Sequence, residues 1–478
     1  MCTFKFLAAN PYYAKRIHEE EEHEYRNCFE RDCDRILYSK EFKRLDRKTQ
    51  VFVAGFDDHT RNRLTHTIEV AQIAKTIALH LGLDENLTAA ISYGHDVGHT
   101  PFGHIGERTL NYFLNGCGNP YDFKNIQDNY KGFKHNWQSI RVVTELEKIS
   151  EEFDGLNLTN FTLWGILNHT NLATDNCEYL SKEGYCNYRH KHDSCDKKKE
   201  NLSLDFYNRY RSSNKEDAWT IEGLIVRIAD EIAQRHHDLE DGLFAHIIEE
   251  DEIYELFQPL SRWFNKKEIL RLATLPTSST LGIFVYSLSS LLINFFVTDL
   301  VKQTSKNLNK LIKRYSLKDS DSFHQKKRII FQNEKIFNLV SYSPSTRKCE
   351  RTIHNFLKNR ILNSQITQNM DGKSTFVLNR IIKAYLNNPQ QLPDRTIHTL
   401  YMRYLTPYAK ATIQDFTYKQ KIGYLREKLK KDHRKINTFT YRNILLRTIC
   451  DFIAGMTDDF AISQYNKLYR SKNVFTNY

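Results

Sequence analysis

The sequence predicts an all-α protein, and three observations predict it. Apolar residues recur three and four positions apart in several well-separated segments, the period of a helix with one buried face. Nine prolines and eighteen glycines in 478 residues are too few for a turn-rich β protein. With 40% apolar and 27% charged residues the chain can bury a sizeable core without disulfide staples, which excludes global disorder.

The elements follow in order. Residues 1–38 are polar, with the acidic run Glu19 to Glu22, and read as an N-terminal arm ahead of the core. Leu64, Ile68, Ala71, Ala74, Ile77, Ala78 and Leu81 share one helical face, and Gly82 closes that helix. Asp84 caps a second helix through Leu87, Ala90 and Ile91, ending near Gly94 to Asp96. Cys177 to Glu200 breaks the pattern and reads as an exposed insertion, about 175–215, within a catalytic core of 39–300. Ile221, Leu224, Ile225, Ile228, Ala229 and Ile232 mark a third helix. Leu281 to Val297 is apolar but interrupted by Ser287, Ser289, Ser290 and Asn294, so a buried helix is expected there rather than a membrane span. Residues 301–478 are expected to form a basic, helical C-terminal region that completes the fold.

Lys and Arg outnumber Asp and Glu by 69 to 58, a formal charge of +11, which favours anionic partners. Residues 301–350 hold twelve Lys/Arg against four acids, and a second basic run spans Lys421 to Lys435. With Tyr315, Phe323, Phe331, Phe337 and Tyr424 interspersed, these runs are candidate contacts for single-stranded nucleic acid or a nucleotide effector. The plainer reading is solvated lysines over core aromatics. Nine thinly scattered cysteines and no secretory leader point to reduced thiols and a cytoplasmic protein with no membrane partner. Cys177, Cys186 and Cys195 with His190 and His192 lack the close CxxC pairs of a structural zinc site, so a loop is the better reading. No Walker A, GxGxxG or GxSxG pattern occurs, which argues against kinase, Rossmann and serine-hydrolase chemistry.

The chemistry concentrates in residues 61–107, which hold His66, His80, His95, Asp96, His99, His104 and Glu107. Gly94, Gly98, Gly103 and Gly106 with Pro101 wrap tight turns around these side chains instead of extending a helix. His95 and Asp96 are neighbours and cannot complete a site alone. They need His66 from the preceding helix and a carboxylate from elsewhere, for which Asp230 on the third helix is the candidate. Two histidines and two aspartates make a nitrogen and oxygen site suited to Mn²⁺, Mg²⁺, Fe²⁺ or Ni²⁺.

The ordered blocks RxRLTHTxEVAQIA, GHDVGHTPFGHxGE, HNxQSxR at 135–141, GLNLT with GILNH at 155–169, and DFIAGMTDDFA at 451–461 resemble the deoxyguanosinetriphosphate triphosphohydrolase-like (dGTPase-like) family of HD-domain phosphohydrolases. That resemblance implies an HD-domain helical core with a helical C-terminal extension. It implies cleavage of a dNTP, dGTP or a broader set, to deoxynucleoside and inorganic triphosphate. It also implies His66, His95, Asp96 and Asp230 as metal ligands, His104 as catalytic histidine and Glu107 as its acidic partner. His99 and His135 match active-site histidines that would contact phosphate oxygens. Arg63 matches a phosphate-gripping arginine, and Gln50 and Asp238 match residues that read the sugar 3′-hydroxyl. A homo-oligomer is expected on the same ground. One departure stands out: Gln234 occupies the position, four after Asp230, where many members place a tyrosine against the sugar. The alternatives are another HD-type phosphohydrolase, a nucleotidase or nuclease, and a nucleic-acid-binding regulatory protein with a vestigial HD site.

Overall fold

The computed structural model describes residues 4–50, 61–115, 132–170, 215–258, 260, 280–405, 410, 411, 413–433 and 439–469. Among them the secondary structure is helical, and β pairing is limited to two isolated bridges, Thr49 with Asn62 and Lys148 with Gly155. The segment with Cys177, Cys186, Cys195, His190 and His192 lies outside the described residues. The chain divides into two compact units that interleave along the sequence: 1–98, 139–171 and 212–370 in the first, 99–138, 172–211 and 371–478 in the second.

In the first unit, α1 (Cys28–Tyr38) and α2 (Lys40–Arg44) precede α3 (Arg63–Leu81) and α4 (Glu85–Gly94). The start of α3 is set by Asn62, whose side chain accepts from the Thr65 N–H, and its end by Gly82 at φ 77°, a left-handed cap that glycine adopts without strain. Asp84 accepts from the Leu87 N–H and starts α4. The unit's next longer helices, past α5 (Gly103–Leu114) and α6 (His135–Arg141), are α7 (Asn160–Asn168), α8 (Ile221–Phe244), α9 (Glu250–Phe257) and α10 (Leu281–Tyr315). Thr220 caps α8 through the Gly223 N–H.

Helix α8 is the hub. Ile221, Leu224, Ile225, Ile228, Ala229 and Ile232 are all buried, and α8 packs on α3, α4, α7 and α10. Each Ile or Leu so buried is worth roughly 1.5–3 kcal/mol of transfer free energy. The close approach of α4 to α7 needs a glycine: a methyl on Gly94 would meet Ile166 Cγ1 at 2.9 Å. Helix α10 is long and apolar enough to cross a membrane by length and composition alone. In the structure Phe284, Val285, Leu288, Leu292, Phe296 and Leu300 lie in the core of the first unit.

The N-terminal residues differ from their reading as an arm ahead of the core, because Phe4, Leu7 and Phe29 are buried within it. The physical reason is sparseness: three large apolar residues spread over 26 positions make no periodic pattern, yet each fills a site on the core. Asp32, with no exposed surface, holds this region in place. It accepts from Arg16 at 2.7 Å, from the Thr159 N–H at 3.0 Å and from the Thr159 and Thr162 hydroxyls at 2.7 and 2.6 Å, tying α1 to the start of α7.

In the second unit, α5 (Gly103–Leu114) packs on a C-terminal helix, and from α6 (His135–Arg141, of which 135–138 belong here) Gln138 donates to Asp451 at 3.1 Å. Of the basic region, α11 (Ser320–Asn333) and α12 (Pro344–Leu357) belong to the first unit. They are followed by α13 (Gln365–Asn387), α14 (Asp394–Tyr404), α15 (Tyr418–His433), α16 (Phe439–Ala454) and α17 (Asp458–Tyr469). Helix α14 packs on α15 and α16, and α16 on α5. Asp458 at the start of α17 accepts from the Phe102 N–H at 2.9 Å and so fixes the turn before α5.

Candidate metal centre and histidine cluster

In the first unit the packing of α3 on α8 brings His66 against Asp230, with Nε2 3.0 Å from Oδ1. His95 follows directly on α4, and its Nδ1 lies 2.6 Å from the Ser92 carbonyl oxygen. An oxygen there can only accept, so Nδ1 carries the proton and Nε2 presents its lone pair. That Nε2 is buried without a hydrogen-bond partner, 3.4 Å from Asp96 Oδ1 and 3.8 Å from Asp230 Oδ1. The ligating atoms of His66, His95 and Asp96 lie within 4.8 Å of one another. Four donors converging around a bare imidazole nitrogen are costly in a protein interior unless a cation joins them, and two imidazoles with two carboxylates fit a divalent metal. Burial alone would raise the Asp230 carboxyl; the adjoining imidazoles of His66 and His95 outweigh it and hold it well below the usual carboxylate range.

Arg63, one turn before His66, is buried and donates to Asp96 Oδ2 at 2.5 Å, while its Nε and second NH₂ group have no partners. It therefore fixes the carboxylate beside the His95 Nε2 lone pair. Gln50 and Asp238 each hold a buried oxygen without a partner in this unit. Burial raises the Asp238 carboxyl to about 7 against the opposing charges of Arg235 and His236.

The second unit holds a separate cluster of His99, His104, Glu107 and His135, whose ligating atoms also lie within 4.8 Å of one another. His99 stacks on His135 with ring centroids 4.0 Å apart, and His104 meets His99 edge-on at 5.4 Å. Glu107 accepts from His135 Nδ1 at 2.5 Å. Burial works to raise the Glu107 carboxyl, but the charge and hydrogen bond of His135 and the charge of His104 hold it down to about 2. Glu107 is thus an anion shared by two imidazoles, where sequence spacing pairs it with His104 alone. His104 is the exposed member of the set, and His99 and His135 are buried. Gly106, in the first turn of α5, lets that helix pack closely on residues 100–101: a methyl there would lie 2.5 Å from Thr100 Oγ1.

Comparison with known proteins assigns the fold these sites sit on. Residues 63–235 match the HD domain model and residues 412–467 the phosphohydrolase-associated domain model. The chain is 31% identical to a deoxyguanosinetriphosphate triphosphohydrolase-like protein of Rickettsia canadensis, over 95% of this chain and 96% of that one. It is 32% identical to proteins of the same description from Bartonella tribocorum and Clostridium perfringens, covering 94% and 90% of them.

The chain belongs to the dGTPase-like family of HD-domain phosphohydrolases. Within this family member, Gln234 sits one turn after Asp230 on α8, and its Oε1 accepts from Arg235 at 3.2 Å. Sequence reading missed three buried or half-buried groups beside His66: Glu69, His236 and His237. Helical spacing was the available signal, since Glu69 is three after His66 and His237 is seven after Asp230, both on the faces that meet. It also missed His169, buried at the end of α7, whose Nδ1 faces the Ile166 carbonyl oxygen at 2.7 Å and whose ring lies 5.1 Å from that of His95.

Proposed function

We propose that this family member hydrolyses deoxynucleoside triphosphates between the α-phosphorus and the 5′ oxygen: one dNTP and one water give one deoxynucleoside and one inorganic triphosphate. The observation that supports it most is the donor set of buried His66, His95 and Asp96 with half-buried Asp230 beside them, the lone pair of His95 Nε2 unclaimed. These four residues would hold Mn²⁺, Mg²⁺, Fe²⁺ or Ni²⁺. A divalent cation so held lowers the pKa of a bound water and screens anionic phosphate oxygens.

The protein's own groups supply the rest. Arg63 holds Asp96 in register and offers guanidinium N–H groups of the shape that phosphate oxygens accept. His104 is the proton donor to the departing 5′ oxygen, and Glu107 keeps its imidazole charged. His99 and His135 bind phosphate oxygens, and the stack they form fixes both rings. The unpartnered oxygen of Asp238 accepts from the sugar 3′-hydroxyl, and the Gln50 amide lies against the same hydroxyl, to whose oxygen its N–H can donate. Gln234, a hydrogen-bonding amide in place of an aromatic ring, removes a stacking surface and broadens selection beyond dGTP. The protein works in solution in the cytoplasm.

The test is incubation with each dNTP and Mn²⁺ in ¹⁸O-water, with the products resolved by chromatography and mass spectrometry. Triphosphate carrying the label and unlabelled deoxynucleoside is the expected result. Orthophosphate or nucleoside monophosphate would assign another HD-type hydrolysis, and salt-sensitive DNA binding without turnover would assign a regulatory role.

A further inference from the structure

His66 is the one metal-site histidine whose second nitrogen does not face a backbone carbonyl. Its Nδ1 lies 3.1 Å from Nδ1 of His237, and His237 Nε2 lies 2.6 Å from Glu69 Oε2. The order of these contacts dictates where the protons sit. A carboxylate oxygen only accepts, so the short contact places a proton on His237 Nε2. A neutral His237 then has a lone pair on Nδ1, and the proton between the two Nδ1 atoms belongs to His66. With its proton on Nδ1, His66 keeps the lone pair of Nε2 for a cation shared with Asp230, whose Oδ1 lies 3.0 Å away. The reverse arrangement would set an imidazole lone pair against the Glu69 carboxylate at 2.6 Å and put an N–H where a cation must bind.

We propose that Glu69 and His237 are positioning residues that fix the tautomer and ring orientation of His66, a relay resting on the metal reading above. His237 is fully buried and cannot exchange its partner for water. The Glu69 carboxylate is itself pinned: the same Oε2 faces His236 Nε2 at 3.1 Å, and Oε1 lies 3.5 Å from Arg61, which also pairs with Glu240 at 2.5 Å. The arrangement does for His66 what the Ser92 carbonyl does for His95. Outer-shell partners of this kind typically contribute tenfold to a hundredfold in metal affinity.

The test uses the full chain stripped of metal, reloaded with Mn²⁺ to measure affinity from the free-ion EPR signal, and with Co²⁺ to record hyperfine-shifted N–H protons. Wild type should show two exchangeable imidazole N–H signals, from His66 and His95. His237→Phe should lose one and bind Mn²⁺ roughly ten- to a hundredfold more weakly. His237→Asn, whose side-chain oxygen can take the place of Nδ1, should restore both. If His237→Phe does not fold, Glu69→Ala, at a carboxylate already one-third exposed, carries the same expectation of weakened binding and a faster-exchanging signal. Unchanged affinity with both signals intact in the folded variant overturns the relay while the metal site stands. Failure of the wild type to bind either ion overturns the relay and the metal reading together.

Discussion

Gly106→Ala is the perturbation whose size follows most directly from geometry. The added methyl would lie 2.5 Å from Thr100 Oγ1 and 2.9 Å from Thr100 Cβ, and closer still to the Pro101 carbonyl oxygen. Backbone oxygen cannot swing aside as a side-chain end can, so the 100–106 turn must shift. That turn already carries Phe102 at φ 60° and Gly103 at φ 58°. Overpacking of this kind costs roughly 1–3 kcal/mol, and displacing Thr100 from its 2.9 Å bond to the Gly103 carbonyl adds about 1 kcal/mol. The expected loss is therefore roughly 2–4 kcal/mol in denaturant unfolding. Turnover should fall further than stability predicts, because His99 and His104 flank the shifted turn. Metal binding at His66, His95, Asp96 and Asp230 should survive. Gly423→Ala is the internal control: nothing lies within 4 Å of its methyl on α15, and it should stabilise by roughly 0.5–1 kcal/mol. A Gly106→Ala protein with the stability and turnover of wild type would refute the claim that this turn is packed to its limit.

Three further outcomes are expected. Asp32→Ala takes the carboxylate away from Arg16, which keeps only the Asn157 and Cys28 carbonyl oxygens, and from two threonine hydroxyls, and should lower stability by roughly 2–4 kcal/mol in equilibrium unfolding; a change under 1 kcal/mol would contradict its role in anchoring α1 to α7. Glu107, held at about 2 in the folded chain against an ordinary 4.5, contributes roughly 3 kcal/mol that is fully present above pH 4.5 and lost as pH falls toward 2. Glu107→Gln should therefore flatten the acid limb of the stability profile, and an unaltered limb would count against the pairing. Asp238→Asn should raise KM for dNTPs about five- to thirtyfold while leaving 2′,3′-dideoxy analogues unaffected, and equal effects on both would remove Asp238 from 3′-hydroxyl recognition.

Helices α3, α4 and α8 were legible because one apolar face repeats without interruption and Gly82 and Asp84 punctuate the break between them. The grouping of His66, His95, Asp96 and Asp230 was legible as a candidate from residue chemistry and was sharpened by resemblance, since no local pattern says that α8 returns to α3. Asp32 was illegible for the opposite reason. It looks like one more acid in a charged segment, and its partners Thr159 and Thr162 lie some 130 residues away. Glu69 and His237 sit between these cases: their spacing from His66 and Asp230 was visible, but only the packing of α3 on α8 reveals that they meet. The basic block at 301–350 reads as one charged region, whereas Lys327 within it is buried over the rings of Phe161 and Trp219.

The most direct measurement of the central claim is metal content after loading with Mn²⁺ and gel filtration, comparing wild type with Asp230→Ala. Asp230 touches His66 and approaches His95, so its loss removes a charge from the middle of the donor set. Close to one ion per wild-type chain and little in a folded Asp230→Ala protein is the expected result. Full occupancy in that variant would contradict it.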